Sequence, residues 1–161
     1  MPSAPQKRRS RRALAVLGLL TVAGLLFAVP ASAASLTTTV TPSKVIVNHH
    51  FVIKVAGVGN PDDETQRVLA WTQPGSSQCK SDYLAEYAAV RHAPPKVATT
   101  VGTSPFSLRS ASIRANVLGS RRVCTYLYSV DTHTTLLTSG ATYKVQLPLC
   151  HRRHQRGCRR H

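Results

Sequence analysis

The first 33 residues fix what the rest of this chain can become. Lys7, Arg8, Arg9, Arg11 and Arg12 form a positive segment, and Ala13 to Val29 is a charge-free apolar run of 17 residues. Pro30 ends the run, and Ala31-Ser32-Ala33 places small residues at the two positions that a signal peptidase reads. A charged n-region, an apolar h-region and a small-residue site are the three parts of a secretory signal peptide. The run is slightly long for an h-region and slightly short for a membrane span. The cleavage site directly after it favours removal; an uncleaved signal anchor is the runner-up. In both cases the n-region charge holds the N-terminus inside and places the remainder outside. That compartment permits disulfides, which bears directly on a chain with four cysteines.

Ser10-Arg11-Arg12-Ala13-Leu14 resembles the start of a twin-arginine signal but lacks the Phe and later Lys of the full pattern, so ordinary Sec export is expected. No Cys stands at the cleavage site, which argues against lipoprotein anchoring. Cleavage after Ala33 leaves 128 residues, of which 34–149 form one domain's worth of chain and 150–161 a tail. The formal charge of +15 falls to +10 without the n-region, and the domain and the tail each carry half of that. Five charges on 116 residues is ordinary for solubility; five on 12 is not.

The four cysteines, Cys79, Cys124, Cys150 and Cys158, allow three pairings. Chain position suggests Cys79 with Cys124 inside the domain and Cys150 with Cys158 within the tail. Between these landmarks the sequence alternates short β-prone runs with turns. Strands are expected over 36–40 (resumed at 45–47), 51–56, 67–72, 97–101, 106–109, 113–117, 122–130 and 141–147. Thr41-Pro42-Ser43-Lys44 reads as a turn, 57–66 as a long loop, and Gly140 as a bend. Leu69 and Trp71 share one strand face, and Trp71 reads as core. Ser81 to Arg91 departs from this pattern. Its Leu, Ala and Glu content, a capping Ser81, early Asp82 and Glu86 and late Arg91 predict a short helix that Pro94-Pro95 ends. About seven or eight short strands with regular turns predict a mainly β chain: an antiparallel β-sandwich with one short helix, preceded by the signal-peptide helix.

The order of segments resembles uncharacterised, secreted Ig-like single-domain proteins of actinobacteria. The residues that carry the resemblance are Leu36-Thr37-Thr38-Thr39-Val40, Phe51-Val52-Ile53-Lys54-Val55-Ala56-Gly57, Cys79 with the acidic helix-like segment, Arg122-Val123-Cys124-Thr125-Tyr126-Leu127, and Ala141-Thr142-Tyr143-Lys144-Val145. It spans roughly residues 36 to 147 and implies an Ig-like sandwich and a Cys79–Cys124 bridge. It implies no activity. The bridge differs from that of antibody domains, because Cys79 follows the Trp71 strand and Arg122, not Tyr, stands two residues before Cys124. The tail lies outside the resemblance.

Candidate chemistry concentrates in the tail, where Arg152, Arg153, Arg156, Arg159 and Arg160 stand without an acid. Guanidinium forks match phosphate and carboxylate, so the tail suits an anionic wall polymer or lipid surface. No aromatic residue interrupts it, so base stacking and specific nucleic-acid binding are not indicated. A solvated end is the plainer reading. Cys150, Cys158 and the tail histidines could supply zinc ligands, but the spacing fits no zinc pattern and the arginines oppose a cation, so no metal or other cofactor is assigned. Asp62, Asp63 and Glu64 lack the repeated oxygen spacing of a calcium loop and read as a polar turn. Asp82 and Glu86 share a helix face at i, i+4, His49-His50 lie at a turn, and no H-E-x-x-H, G-x-S-x-G or phosphate-loop motif occurs. The reading is a secreted, non-catalytic envelope or extracellular binding module with no membrane span after cleavage. The alternative is a metal-binding protein or small enzyme using the tail or the Asp62–Glu64 loop.

Processing is directly checkable. N-terminal sequencing of the exported protein is expected to begin at Ala34. Recovery from membranes with residues 13–29 retained would establish the anchored form instead.

Overall fold

A computed structural model describes residues 33–149. Residues 1–32, where a signal peptide is expected, and the tail with Cys150, Cys158 and its five arginines lie outside the described residues. Nine strands and one helix follow in order: β1 (Ser35–Thr41), β2 (Lys44–Ile46), β3 (His50–Val58), β4 (Gln66–Pro74), α1 (Tyr83–Ala89), β5 (Val97–Val101), β6 (Pro105–Arg109), β7 (Ile113–Arg114), β8 (Gly119–Ser129) and β9 (Thr135–Gln146). They form an Ig-like β-sandwich. One sheet runs β1-β3-β6, with β7 also paired to β3; the other runs β2-β9-β8-β4-β5.

Alternation sets the inner faces. Phe51, Ile53 and Val55 of β3 point inward while His50, Lys54 and Ala56 are exposed. Val68 and Ala70 of β4, Val123 and Leu127 of β8, and Tyr143 and Val145 of β9 meet them in one apolar cluster. Burying side chains of this size contributes about 1.5–3 kcal/mol each before chain entropy is subtracted. The Thr41–Pro42 peptide is cis, and the chain passes there from one sheet to the other. Lys44–Ile46 then runs parallel to β9, so the sandwich is not wholly antiparallel as expected. Val47 falls outside the strand because the chain turns there: His49 N–H donates to Ile46 C=O at 2.9 Å and Asn48 takes a positive φ of 68°.

Three other expectations change. The region 113–117 supplies only a two-residue strand: Ala115 still bonds the neighbouring segment, its N–H donating to His49 C=O and its C=O accepting from Asn48 N–H, but that segment turns away at Asn48. The helix is shorter than 81–91 and Ser81 does not cap it. Asp82 does, its Oδ1 accepting from Leu84 N–H at 2.8 Å and Ala85 N–H at 3.3 Å. Gly140 is not a bend. It lies within β9 directly opposite Cys124, and a Cβ there would come within 3.2 Å of Cys79 Sγ. The missing side chain makes room for the disulfide.

That disulfide joins Cys79 and Cys124. Cys124 is wholly buried on the outer face of the second sheet, so the bridge fastens an excursion, residues 75–96, onto the outside of the sandwich. In antibody domains the bridge instead links the two sheets through the core. A sequence separation of 45 closes a loop whose entropy in the unfolded chain is worth about 4 kcal/mol at 25 °C. Replacing both cysteines by Ala is expected to lower unfolding free energy by about 2–5 kcal/mol in chemical denaturation. Non-reducing peptide mapping should recover Cys79 with Cys124.

Candidate functional site

Strand β4 is buried on both faces from Val68 to Trp71, and β8 from Val123 to Ser129. Their inner residues fill the sandwich. Their outer residues, Leu69, Trp71, Cys124, Tyr126 and Tyr128, form a second apolar cluster with Tyr83, Val90 and Val130 packed against it. Trp71 is therefore buried as expected, yet it lies on the face away from the main core. Helix α1 covers it through positions 83, 86, 87 and 90, one stripe of an amphipathic helix. Tyr83 stacks on Tyr128 with centroids 4.3 Å apart, and Trp71 meets Tyr126 edge-on at 5.9 Å. The Trp71 indole N–H donates to Ala93 C=O at 2.9 Å, fastening the chain just after the helix.

The centre of that helix stripe is a carboxylate. Glu86 is fully buried, with Oε2 accepting from Lys80 N–H at 3.0 Å and lying 2.8 Å from the Tyr126 hydroxyl. The same hydroxyl lies 3.0 Å from Lys80 C=O, and its single proton serves one of these acceptors at a time. Glu86 Oε1 has no hydrogen-bond partner among the described residues. Asp82 and Glu86 thus do not form a carboxylate pair on one exposed face: Asp82 caps the helix and accepts from Thr135 Oγ1 at 3.0 Å, while Glu86 ties the helix to the Cys79 loop and β8.

Beside this cluster runs a groove of about 720 Å³. One wall is the end of β4 (Thr72, Gln73, Pro74), the second the 77–81 loop around the disulfide, and the third the chain leaving α1. Gln73 Nε2 approaches Cys124 Sγ at 3.1 Å, so the bridge anchors the floor. Lys80 and Arg91 supply two cations, Ser77, Gln78 and Ser81 neutral polar groups, and no carboxylate or imidazole lines the groove. Its cysteine is held in the disulfide. Sequence reasoning missed this groove, because its walls converge only once the disulfide has folded the loop onto β8.

The other sequence candidates stay apart from it. In the Asp62–Glu64 loop, Asp63 Oδ2 accepts from Asn60 Nδ2 at 2.8 Å, and the buried Gln66 side-chain amide donates to Asp63 and Asn60 carbonyls. The loop is knitted to itself rather than opened toward an ion. Among the described residues no three His, Cys, Asp or Glu side chains gather around one point. His49, next to the turn before β3, and His50, the first residue of β3, are exposed. On the outer face of the first sheet, Lys54 and Arg109 stand directly opposite in register, a like-charge pair that opposes sheet pairing. Among the described residues no helix is long and apolar enough to cross a membrane.

Burial comes first and the Glu86 hydrogen bond second in pushing the Tyr126 phenol far above its ordinary value near 10. A phenol held neutral in the folded state stabilises fully below pH 10, and the contribution is lost as pH rises, because the unfolded chain ionises first. Unfolding free energy should therefore fall above pH about 10, by up to about 1.4 kcal/mol per pH unit from Tyr126 alone. Tyr126→Phe should reduce that slope while also lowering stability at neutral pH, where Glu86 loses a donor. Denaturant unfolding between pH 8 and 12 (an approximate window set by the phenol range) measures both.

No protein-family model and no curated protein matches the sequence. Among solved structures, the chain is similar to the CARDB domain of a Pyrococcus furiosus protein crystallised in complex with di-metal ions, at 13% identity and a TM-score of 0.44, over 71% of this chain and 90% of that one. It is also similar to the soluble domain of PmoD from Methylocystis sp., at 11% identity and a TM-score of 0.37, over 71% of this chain and 98% of that one. At such values neither likeness bears on ligand or activity.

Proposed function

We propose that this chain is a secreted, non-catalytic binding module that holds an anionic polymer of the cell envelope. The observation that carries the reading is the groove beside the disulfide: Lys80 and Arg91 on its walls, neutral donors between them, and no carboxylate. A volume of about 720 Å³ accommodates a segment of a chain-like ligand, within the range of roughly 300–1,000 Å³ usual for binding clefts. The acids that could neutralise the surrounding cations are occupied internally, Asp82 at the helix cap, Glu86 under Tyr126 and Asp63 in its own loop. The signal-peptide features and the Cys79–Cys124 bridge suit an oxidising, extracellular location. In this reading Arg152, Arg153, Arg156, Arg159 and Arg160 add a second contact on the same chain, so that the two act together.

Each exposed contact is weak and screened over about 8–10 Å at ordinary ionic strength, so retention depends on several acting together. Full-length mature protein should co-sediment with isolated cell wall and be released as salt rises. Lys80→Gln with Arg91→Gln should weaken retention several-fold, whereas Lys54→Gln with Arg109→Gln removes the same charge from the opposite sheet and should change it little. Ending the chain at Leu149 should also weaken it. Equal loss from both charge pairs would mean diffuse attraction without a groove. Retention on anionic vesicles but not on wall would replace the polymer by lipid as ligand, and retention on neither would overturn the reading.

A further inference from the structure

One end of the sandwich opens between the sheets into a second, smaller cavity of about 150 Å³. Its floor is apolar and aromatic, with Phe51 and Tyr143 packed at 4.6 Å between ring centroids. Its walls carry Lys96, Arg114 and Arg121, together with the Asn116 amide and the Thr72 hydroxyl. No acidic residue lines it. The site is built rather than incidental. The segment that forms its outer wall is pinned to β3 by the Phe51–Ile113 and His50–Arg114 pairing, by Ala115 N–H to His49 C=O at 2.8 Å, and by Asn48 N–H to Ala115 C=O at 2.6 Å. Arg121 stands directly opposite Tyr143 in the β8–β9 register, and its charge opposes the rise that burial imposes on the Tyr143 phenol.

Three cations around so small a space repel one another unless negative charge sits among them. The acids of the described chain are all committed elsewhere in the fold: the β3–β4 loop holds Asp62, Asp63 and Glu64, α1 holds Asp82 and Glu86, and the β8–β9 turn holds Asp131. We propose that this cavity binds a single oxyanion group, phosphate or carboxylate. Arg121 supplies a planar fork, half-buried beside Tyr143 on the neighbouring strand, which suits two oxygens of such a group. Lys96 and Arg114 complete the charge, and the Asn116 amide and Thr72 hydroxyl add neutral donors. The Phe51–Tyr143 floor excludes water from one side, which strengthens each of these contacts. A space of about 150 Å³ takes one such group or a small molecule, not a length of polymer. The site shares only Thr72 with the groove and does not depend on polymer binding there.

The test uses uniformly ¹⁵N-labelled mature protein titrated with inorganic phosphate, and separately with acetate, at constant ionic strength set with chloride. Saturable amide shifts are expected for residues 113–117, Arg121 and Tyr143 with at least one of the two anions. Arg121→Gln should weaken that binding roughly ten-fold or more, as loss of a charge-assisted bidentate contact implies. Lys96→Gln, which leaves the Arg121–Tyr143 contact intact, should weaken it several-fold and guards against a folding defect in the first variant. Lys80→Gln in the groove should leave it unchanged. A polyphosphate arm separates sources: tighter binding per site than inorganic phosphate points to a pendant group, equal binding to the free ion. Shifts that never saturate with either anion, or binding unaltered by both Arg121→Gln and Lys96→Gln, would overturn the proposal.

Discussion

Strands β4 and β8 carry bulky side chains on both faces, and most of the architecture follows from having to cover each of them. One face is closed by the opposing sheet, as in any sandwich. The other exposes Leu69, Trp71, Tyr126 and Tyr128, too large an apolar area to leave in water. The chain solves this by leaving β4 at Pro74, folding a loop and a two-turn helix over that face, and returning at β5. Such a helix is too short to be stable alone, so its order comes from docking. The Cys79–Cys124 bridge holds the loop at the moment when docking must begin, and Gly140 leaves the space the bridge needs.

Placing Glu86 at the centre of this docking surface is costly by itself, since a buried carboxylate loses its hydration. Lys80 N–H and the Tyr126 hydroxyl offset part of that loss. The gain is positional: an apolar side chain would let the helix slide over the aromatic face, whereas two directional bonds fix its register. Tyr126 is in turn locked neutral by burial and by the carboxylate beside it. The same arrangement withdraws an acid from the surface and leaves the adjacent groove with cations only.

Charge is therefore distributed by the fold rather than by composition. Six acids against eleven cations in residues 33–149 is an unremarkable ratio, but Asp82 caps the helix, Glu86 is buried and Asp63 knits its own loop, which leaves Asp62, Glu64 and Asp131 as the exposed acids. The groove by the disulfide and the cavity at the sandwich end are two different outcomes of that partition. One is wide and open, with Lys80, Arg91 and neutral polar groups set among apolar side chains. The other is narrow, with an aromatic floor and converging charges.

Much of this was legible in the chain. Period-two alternation in Phe51-Val52-Ile53-Lys54-Val55 gives a strand with one buried face wherever it occurs, because side chains leave a strand on alternate sides. The dense run Val123 to Tyr128 and the Pro and Gly clusters likewise placed strands and turns from local chemistry alone. Cys79 and Cys124 were identifiable as a pair by position, and a helix was evident between them. What the chain could not state locally was which face each residue would meet. Gly140 reads as a turn until a sulfur is seen to need its space. Glu86 reads as a solvated helix residue until Tyr126, 40 positions later, is brought to it. Lys96, Arg114 and Arg121 are separate surface charges in sequence and one cavity wall in the fold. Local sequence determined the elements because backbone propensity and alternation act over a few residues; tertiary structure alone decided the sites, because they are made where distant strands converge.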